Sequence, residues 1–352
     1  MNQLSMTRRR HSPLVTLCTL LAAAALSLFA GPSCASAERL KVVTTLFPLY
    51  DWARVIGGDQ AEVTLLLPPG VEAHSFDPKP KDIARIRGAD IFLYTGSLME
   101  PWVDGLLEGS TPENLLVIDA SSAVTMIAAG ESGEAEGGHH GPADDGHDHH
   151  HDDHSKVEAA HGDQDHHHDH QHHHGELDPH IWLEFTNAAE MVAAIADGFI
   201  ARDPEHQTEY ARRGEEYRQQ LQALDQRYAA GLASCTHRTI IYGGHFAFGY
   251  LAERFALGHV SPYRGFAPDS EPSPGEMIEL AKLMKDGKYK YIFYEEGIEP
   301  KVAKVIAAET GAGILLLHGA HNLGRDELAA GESYLSLMEA NLERLRLGLE
   351  CQ

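Results

Sequence analysis

Apolar and polar positions alternate in the same way over two separate parts of the chain. From Leu40, short apolar runs such as "LKVVTTL" are separated by amphipathic stretches such as "PLYDWARVIGG". The same alternation resumes at "RTIIYGG", from Arg238, and continues almost to the end. Strands that alternate with helices indicate a parallel, doubly wound sheet. We therefore predict an α/β fold of two small lobes, each with a parallel sheet.

A long amphipathic stretch joins the two parts. Its apolar positions recur at helical spacing: Tyr217, Leu221, Leu224 and Tyr228. Because proline is well accepted in the first turn of a helix, we predict one helix from Pro204 to about Leu232, on the order of 40 Å long. The predicted divisions are residues 38–203 for the first lobe, 204–235 for the linking helix and 236–352 for the second lobe. A ligand is expected between the lobes, beyond the carboxyl ends of the strands.

The alternation is interrupted between residues 129 and 176, where Gly, Asp, Glu and His replace the apolar residues. Such a segment cannot bury enough apolar surface to offset its ordering entropy, so we predict a disordered loop. We expect it to bind several metal ions weakly; the alternative is a solvated loop without a role. It holds 15 of the chain's 24 histidines: His139, His140, His147, His149, His150, His151, His154, His161, His166, His167, His168, His170, His172, His173 and His174.

The first 37 residues have the pattern of a secretory signal. A basic stretch, "MTRRRHS", precedes the apolar run "PLVTLCTLLAAAALSLFAG", and "ASA" at its end fits a cleavage site. We predict export and cleavage near Ala37. The apolar run approaches the length that crosses a bilayer, so an uncleaved anchor is the alternative.

The charge and the cysteines narrow the function further. The net charge is −24, and without the arginines of the signal 25 basic residues face 52 acidic ones, a net charge of −27. Such an acidic chain argues against a nucleic-acid partner and is compatible with cations. Cys235 and Cys351 remain after cleavage. In an oxidising compartment they are expected to form a disulfide; two buried thiols are the alternative.

Four isolated histidines lie at similar places in the predicted fold. His74 and His245 follow strands, His180 precedes a helix, and His318 ends the strand in "ILLLHGAHNL". Neutral imidazole suits zinc, copper and nickel, and four imidazoles would form a closed tetrahedral site. Each histidine taken alone is more often a polar surface residue. The histidines without such a placement are expected to have no metal role: His206, His237 and His259.

Several stretches together resemble the zinc-uptake branch of the metal-specific substrate-binding proteins of bacterial ABC transporters. They are "PPGVEAHSFDPKPKDI", "DPHIWLE", "GGHFAFGYLAERF" and "GFAPDSEPSPGEM", and a His- and Asp-rich loop before the D-P-H stretch is typical of that branch. The resemblance implies two α/β lobes linked by one rigid helix, with the metal between them. It assigns the role of ligand to His74, His180 and His245.

The fourth ligand departs from the family pattern. The family commonly has an Asp in a motif that resembles L-D-P-L, whereas this chain has "LLLHGAHNL", with His318 in the place of the acid. His321 is the rival for that position, and Glu72 is a weaker candidate. An all-imidazole set favours zinc over manganese, which prefers carboxylate oxygens. Acids around the ligands should then matter more, and Asp178, Asp269, Glu271, Glu295 and Glu296 are available.

We predict a periplasmic protein, expected to be monomeric, whose function is to capture Zn²⁺ and deliver it to a cognate ABC permease in the inner membrane. A periplasmic zinc store or chaperone without a permease is the main alternative. A manganese-type uptake protein and a zinc enzyme are the others. The chain lacks the H-E-x-x-H arrangement of zinc proteases, and a fourth imidazole would close the position that catalysis needs. We therefore predict that it is not an enzyme.

Overall fold

Four parallel strands form the first sheet of the molecule, for which a computed structural model describes residues 38–109, 112–128, 177–263 and 272–352. The strands are β1 (Leu40–Thr44), β2 (Ala61–Leu65), β3 (Ile91–Tyr94) and β4 (Leu116–Asp119), in the order β2-β1-β3-β4. The helices between them are α1 (Phe47–Gly57), α2 (Pro80–Arg87) and α3 (Trp102–Leu107). The predicted alternation of strands and helices is confirmed for this part of the chain.

Local sequence explains how α1 begins and ends. Pro48 lies in its first turn, where a missing N–H costs little. The helix ends at Gly57, and Gly58 follows with a φ of 51°, a conformation that glycine adopts without the steric penalty of a side chain. Trp52 is fully buried on α1 and packs edge-to-face on Tyr334, with ring centroids 5.2 Å apart. This contact joins the first helix to the last.

The second part of the chain repeats the arrangement of the first. Its strands are β5 (Thr239–Ile241), β6 (Gly258–Val260), β7 (Tyr291–Tyr294) and β8 (Gly313–Leu316), which form the parallel pairs β5-β6 and β7-β8. A parallel bridge between Tyr242 and Phe293 places β5 beside β7. The two helices that precede this part are α4 (Phe185–Arg202) and α5 (Gln207–Gly231). The helices of this part are α6 (Gly249–Arg254), α7 (Pro274–Gly287), α8 (Lys301–Thr310), α9 (Arg325–Ala330) and α10 (Tyr334–Gly348). The α/β architecture with parallel sheets is therefore confirmed.

Two packed helices lie between the sheets in sequence, α4 (Phe185–Arg202) and α5 (Gln207–Gly231). With 25 residues, α5 is about 37 Å long. Its first predicted turn, Pro204–His206, is a 3₁₀ turn rather than part of the α-helix. The buried positions of α5 alternate in steps of three and four residues, as expected for one apolar face: Tyr210, Gly214, Tyr217, Leu221, Leu224 and Tyr228.

Side chains near both ends of α5 bond to the rest of the molecule. Arg213 donates to the carbonyl oxygens of Ile56 and Gly57, each at 3.1 Å, at the end of α1. Near the other end, the hydroxyl of Tyr228 donates to the carbonyl oxygen of Met338 in α10 at 2.6 Å. Apolar residues from Val42 to Leu349 form one continuous core around this helix. Such attachments hold a long helix in one position.

Two details differ from the pattern in the sequence. Helix α9 was not predicted, because "RDELAA" has too few apolar positions for a helical period to be recognised. The stretch "HVSPY" predicts a strand that reaches Tyr263, whereas β6 ends at Val260. Pro262 explains the earlier end, because proline has no N–H to donate to a neighbouring strand.

The structure bears to different extents on the predicted signal segment, the His-rich tract and the cysteine pair. The predicted signal segment, residues 1–37, and the His-rich tract, residues 129–176, lie outside the described residues. Within the described ranges, no helix combines the length and the apolar character needed to cross a membrane. Cys235 and Cys351, which are described, are joined by a disulfide across 116 residues of sequence.

Candidate metal centre

Four histidines that are distant in sequence lie next to one another in the structure. They are His74, His180, His245 and His321, and each offers one nitrogen within 4.8 Å of the others. The Nε2 atoms of His74 and His180 are 3.2 Å apart. His180 is completely buried, His245 and His321 are almost so, and His74 is partly exposed. The cluster is therefore open to solvent mainly on the His74 side.

The fold brings these side chains together near the carboxyl ends of strands from both parts of the chain. His74 lies in the loop after β2, His245 follows β5, and His321 follows β8. His180 directly precedes the 3₁₀ turn Ile181–Leu183, which leads into α4. The carboxyl ends of parallel strands are the usual place for a ligand site in α/β folds. The geometry thus agrees with the predicted position beyond the carboxyl ends of the strands.

Three of the four histidines have a carboxylate against Nδ1. Asp178 Oδ1 lies 2.7 Å from Nδ1 of His180, and Glu295 Oε2 lies 2.5 Å from Nδ1 of His245. Glu296 Oε1 lies 3.2 Å from Nδ1 of His321. A carboxylate at Nδ1 fixes the proton there and leaves the lone pair on Nε2, as it does for histidines that bind metals. These three rings can therefore present Nε2 to one ion, and Nε2 of His74 lies beside that of His180.

Glycines make room for these carboxylates. A side chain at Gly249 would place Cβ 2.5 Å from Asp178 Oδ2, and one at Gly244 would place it 2.9 Å from Glu295 Oε1. At Gly319, Cβ would lie 2.6 Å from the ring of His321 and 3.3 Å from Glu296 Oε1. Any larger residue would displace the acid or the ring. The close approach of the backbone is thus part of the construction of the site.

Burial keeps two of the imidazoles neutral. It lowers the pKa of His74 to about 3, with a further contribution from the neighbouring His321, and it lowers the pKa of His180 well below its ordinary value. His245 differs: burial lowers its pKa, but the carboxylates of Glu295, Glu296 and Glu72 together outweigh burial and the net shift is upward. Neutral imidazole is the form that binds a metal. His74 and His180 are thus in the binding form at neutral pH without losing a proton.

The donor set fits a zinc ion. Tetrahedral zinc with nitrogens at about 2.0–2.1 Å requires nitrogens about 3.3 Å apart, and the His74–His180 pair already has nearly that spacing. Nε2 of His245 and Nε2 of His321 are buried and accept or donate no hydrogen bond; Nδ1 of His245 makes no well-aligned hydrogen bond either, but it lies 2.5 Å from the Glu295 carboxylate. Buried polar atoms of this kind are costly unless something binds them. A dication would satisfy both Nε2 atoms.

His318, the first choice for the fourth position, lies outside the cluster, whereas its rival His321 lies in it. Nδ1 of His318 accepts the backbone N–H of Ala320 at 2.9 Å, and Nε2 lies 3.4 Å from Glu327. The side chain of Asn341 bonds to both the N–H and the carbonyl of His318. Ala320, with a φ of 56°, turns the chain so that His321 faces the other three histidines.

Glu72, the other rival, bonds to its own loop. Its carboxylate accepts the backbone N–H of His74 at 2.9 Å and that of Ser75 at 2.7 Å. Burial raises the pKa of Glu72, but the His74 N–H and the other groups of this loop outweigh burial and lower it. Glu72 lines a cavity of about 270 Å³ next to the cluster, whose other polar walls include His245, His321, Glu295, Glu296 and Glu327. The cavity is therefore acidic.

Some of the site was not assigned from the sequence. Asp178, Glu295 and Glu296 were recognised as available acids without roles, and the structure assigns each to one histidine. Their positions carried a signal, since one acid precedes His180 by two residues and the others follow β7 directly. Asp269 and Glu271 lie outside the described residues, as do the histidines of the tract.

Comparison with known proteins identifies the family. The model of the ZnuA family, the periplasmic component A of the zinc-uptake complex, matches residues 42–348. The chain belongs to the ZnuA family. This confirms the resemblance found in the sequence and the two-lobed fold that it implied.

Relatives within the family carry zinc in their names. The chain is 32% identical over 308 residues to the zinc-binding lipoprotein AdcA of Streptococcus pneumoniae, which covers 88% of the chain and 55% of AdcA. It is 31% identical over 327 residues to the high-affinity zinc uptake system protein ZnuA of Bacillus subtilis, 93% of each. The chain thus spans about half the length of the AdcA proteins it matches.

One solved structure is similar over nearly the whole chain. It is the Zn(II)-bound ZnuA-like domain of Streptococcus pneumoniae AdcA, with a TM-score of 0.68 and 29% identity. The match covers 89% of this chain and 99% of that domain. The part of AdcA that this chain resembles is therefore its ZnuA-like domain.

Proposed function

We propose that the protein captures Zn²⁺ with His74, His180, His245 and His321 and delivers it to the permease of an ABC transporter. One observation carries the proposal: four buried or half-buried imidazoles converge within 4.8 Å, and three of them are oriented by a carboxylate on Nδ1. Relatives named as zinc-binding and zinc-uptake proteins support the choice of metal.

Capture depends on charge around a neutral ligand set. Four neutral imidazoles leave the full +2 charge on the ion. The negative charges of Asp178, Glu295 and Glu296, each at Nδ1 of one of the histidines, offset it. The acidic cavity beside the cluster attracts cations from solution. Because all four positions are occupied by imidazole, no coordination site is left for a reacting water, and we infer transport rather than catalysis.

Release requires that a segment carrying a ligand moves away. The His321 segment bonds at two points to residues of the first part of the chain: His321 O accepts the N–H of Phe47 at 3.2 Å, and Trp182 Nε1 donates to Gly319 O at 2.8 Å. These bonds hold the four ligands at one spacing. We propose that contact with the permease displaces one such segment and thereby frees the ion.

The remaining parts of the proposal concern location and organisation. We propose export by residues 1–37 to the periplasm, and lobes of residues 38–203 and 236–352 joined by residues 204–235. The His-rich tract is proposed as an accessory store that binds zinc weakly near the centre, because its last histidine, His174, precedes His180 by only six residues.

Zinc titration of variants tests the proposal. In protein lacking residues 139–174, we expect one tight zinc site, which the single variants His74→Ala, His180→Ala, His245→Ala and His321→Ala should each weaken sharply. The control is His206→Ala, which removes a histidine whose Nδ1 is paired with Asp203 at 2.7 Å, the separation found at His180. Tight zinc binding that survives all four replacements, or is lost with the tract alone, would contradict the proposal.

A further inference from the structure

The hydroxyl of Tyr250 joins two segments that lie far apart in sequence. It donates a hydrogen bond to the carbonyl oxygen of Asp178 at 2.9 Å and accepts one from the backbone N–H of Ile127 at 3.2 Å. The side chain is almost fully buried. Buried tyrosine hydroxyls normally have such partners, but here one partner is Asp178, whose carboxylate lies against His180, and the other is Ile127, which itself bonds to the backbone of Asp178.

Asp178 is fixed on several sides by these neighbours. Its N–H donates to the carbonyl of Ile127 at 3.0 Å, and its Oδ1 accepts both the backbone N–H and Nδ1 of His180. Gly249, the residue before Tyr250, leaves just enough space for Asp178 Oδ2. The start of α6 therefore restrains Asp178 at its backbone and at its carboxylate.

We propose that Tyr250 is a positioning residue for the zinc centre, acting on His180 through Asp178. The proposal rests on the zinc-binding function proposed above. Its structural basis is that Tyr250 and His245 belong to one segment of the chain, five residues apart, whereas Asp178 and His180 belong to another. The segment that supplies one ligand thus orients the carboxylate behind a second ligand, so that the two sides of the centre are aligned together.

The Tyr250 hydroxyl bonds to residues close to both ends of the His-rich tract, Ile127 before it and Asp178 after it. Ala128 and Leu177 form an antiparallel bridge there, next to the bonds of Tyr250 with Ile127 and Asp178. These contacts close the two ends on each other. The effect of Tyr250 on zinc binding should therefore be the same in the full chain and in protein lacking residues 139–174, and we use both.

The first experiment compares Tyr250→Phe with Tyr228→Phe. Each removes one buried hydroxyl that bonds to a backbone carbonyl, but Tyr228 bonds to Met338, between α5 and α10. Zinc affinity is measured by competition with a chelator, and zinc dissociation by stopped flow. Loss of the hydrogen bonds of Tyr250 should weaken zinc binding about two- to tenfold, whereas Tyr228→Phe should leave it unchanged. Equal effects, or none at Tyr250, would overturn the proposal.

The second experiment separates positioning from a general loss of stability. In an Asp178→Ala background, Tyr250→Phe should have little further effect on zinc affinity, because the carboxylate through which it acts is absent. The absorption spectrum of Co²⁺-loaded Tyr250→Phe should also shift toward that of Asp178→Ala. Full additivity of the two replacements would overturn the positioning role. The proposed zinc function itself would fail separately, if the unaltered protein bound no zinc tightly.

Discussion

Asp178 Oδ1 accepts two hydrogen bonds from His180, one from the backbone N–H at 2.9 Å and one from Nδ1 at 2.7 Å. A single carboxylate oxygen thus fixes both the main chain and the ring of a proposed zinc ligand. Both residues are buried. This pair shows how the centre is built: each buried imidazole is held from behind, so that its other nitrogen faces the cluster.

Removing this carboxylate should weaken zinc binding while leaving the fold intact. Loss of an outer partner of a metal-bound histidine costs roughly 10- to 100-fold in affinity, and we expect Asp178→Ala to fall in that range. Asp203→Ala is the matched control, since Asp203 has the same 2.7 Å separation from Nδ1 of His206 outside the cluster. Chelator competition measures both variants. An equal loss of affinity in the two would contradict the orienting role of Asp178.

Crowding the same carboxylate should have a similar effect. In Gly249→Ala, the new Cβ would meet Asp178 Oδ2 at 2.5 Å, so the carboxylate must move and zinc affinity should fall severalfold. The control is Gly105→Ala in α3, where the new methyl meets nothing within 4 Å. That change should raise stability by about 0.5–1 kcal/mol and leave zinc affinity unchanged. Zinc titration and thermal unfolding of both variants test these outcomes.

Zinc binding should release protons near neutral pH. Burial raises the pKa of Asp178 to about 7, and the carboxylates of Glu295, Glu296 and Glu72 together raise that of His245 against the effect of burial. Both groups are therefore partly protonated in the zinc-free protein, and a bound dication favours the forms without the proton. Zinc affinity should accordingly fall as the pH drops through about 7.

Calorimetry in buffers of different ionisation enthalpy counts the released protons. At about pH 6, one unit below the pKa of Asp178, that carboxyl is mostly protonated without zinc, so Asp178→Asn should release nearly one proton fewer than the unaltered protein. His74 and His180 should contribute none, because burial already keeps them neutral there. Equal proton release from the two proteins would show that Asp178 does not titrate with zinc binding.

Asn322 should control how long zinc stays bound. Its side-chain N–H groups donate to the carbonyls of Pro68 at 2.7 Å and Val71 at 2.9 Å, which ties the His321 segment to the loop that leads to His74. Each bond contributes about 1 kcal/mol, so Asn322→Ala should speed zinc dissociation about fivefold or more. Stopped-flow chelation measures the rate. Asn187→Ala, at the start of α4, is the control and should dissociate zinc at the original rate.

Much of the architecture was predictable because it depends on local pattern. The apolar period identified α5, and the alternation of strands and helices identified the parallel sheets. The choice between His318 and His321 was not predictable, because it depends on one turn. Ala320 adopts a left-handed conformation, which costs roughly 1–2 kcal/mol for a residue other than glycine. Nothing in the letters "LLLHGAHNL" specifies that conformation.

The orienting acids were unpredictable for a different reason. Glu295 and Glu296 are adjacent in sequence but serve different histidines, His245 and His321, which follow different strands. Their pairing depends on how β5, β7 and β8 lie beside one another. The bridge between Tyr242 and Phe293 that sets this arrangement is a tertiary contact, so no local pattern reveals it.

The fourth ligand is the sharpest difference between the sequence and the structure. His321→Ala removes one of the four clustered imidazoles, so it should weaken zinc binding by more than the roughly 10- to 100-fold expected for an outer partner. His318→Ala should lower stability, because His318 bonds to Ala320 and Asn341, but it should leave the tight site in place. The reverse order of effects on zinc affinity would restore His318 as the ligand.

The central claim is that one zinc ion is held by four imidazoles. X-ray absorption at the zinc edge tests it most directly, on protein that lacks residues 139–174 and carries one equivalent of zinc. We predict four nitrogen neighbours at about 2.0–2.1 Å with the outer-shell scattering of four imidazole rings. Three imidazoles with an oxygen neighbour, or five or six neighbours, would contradict the account.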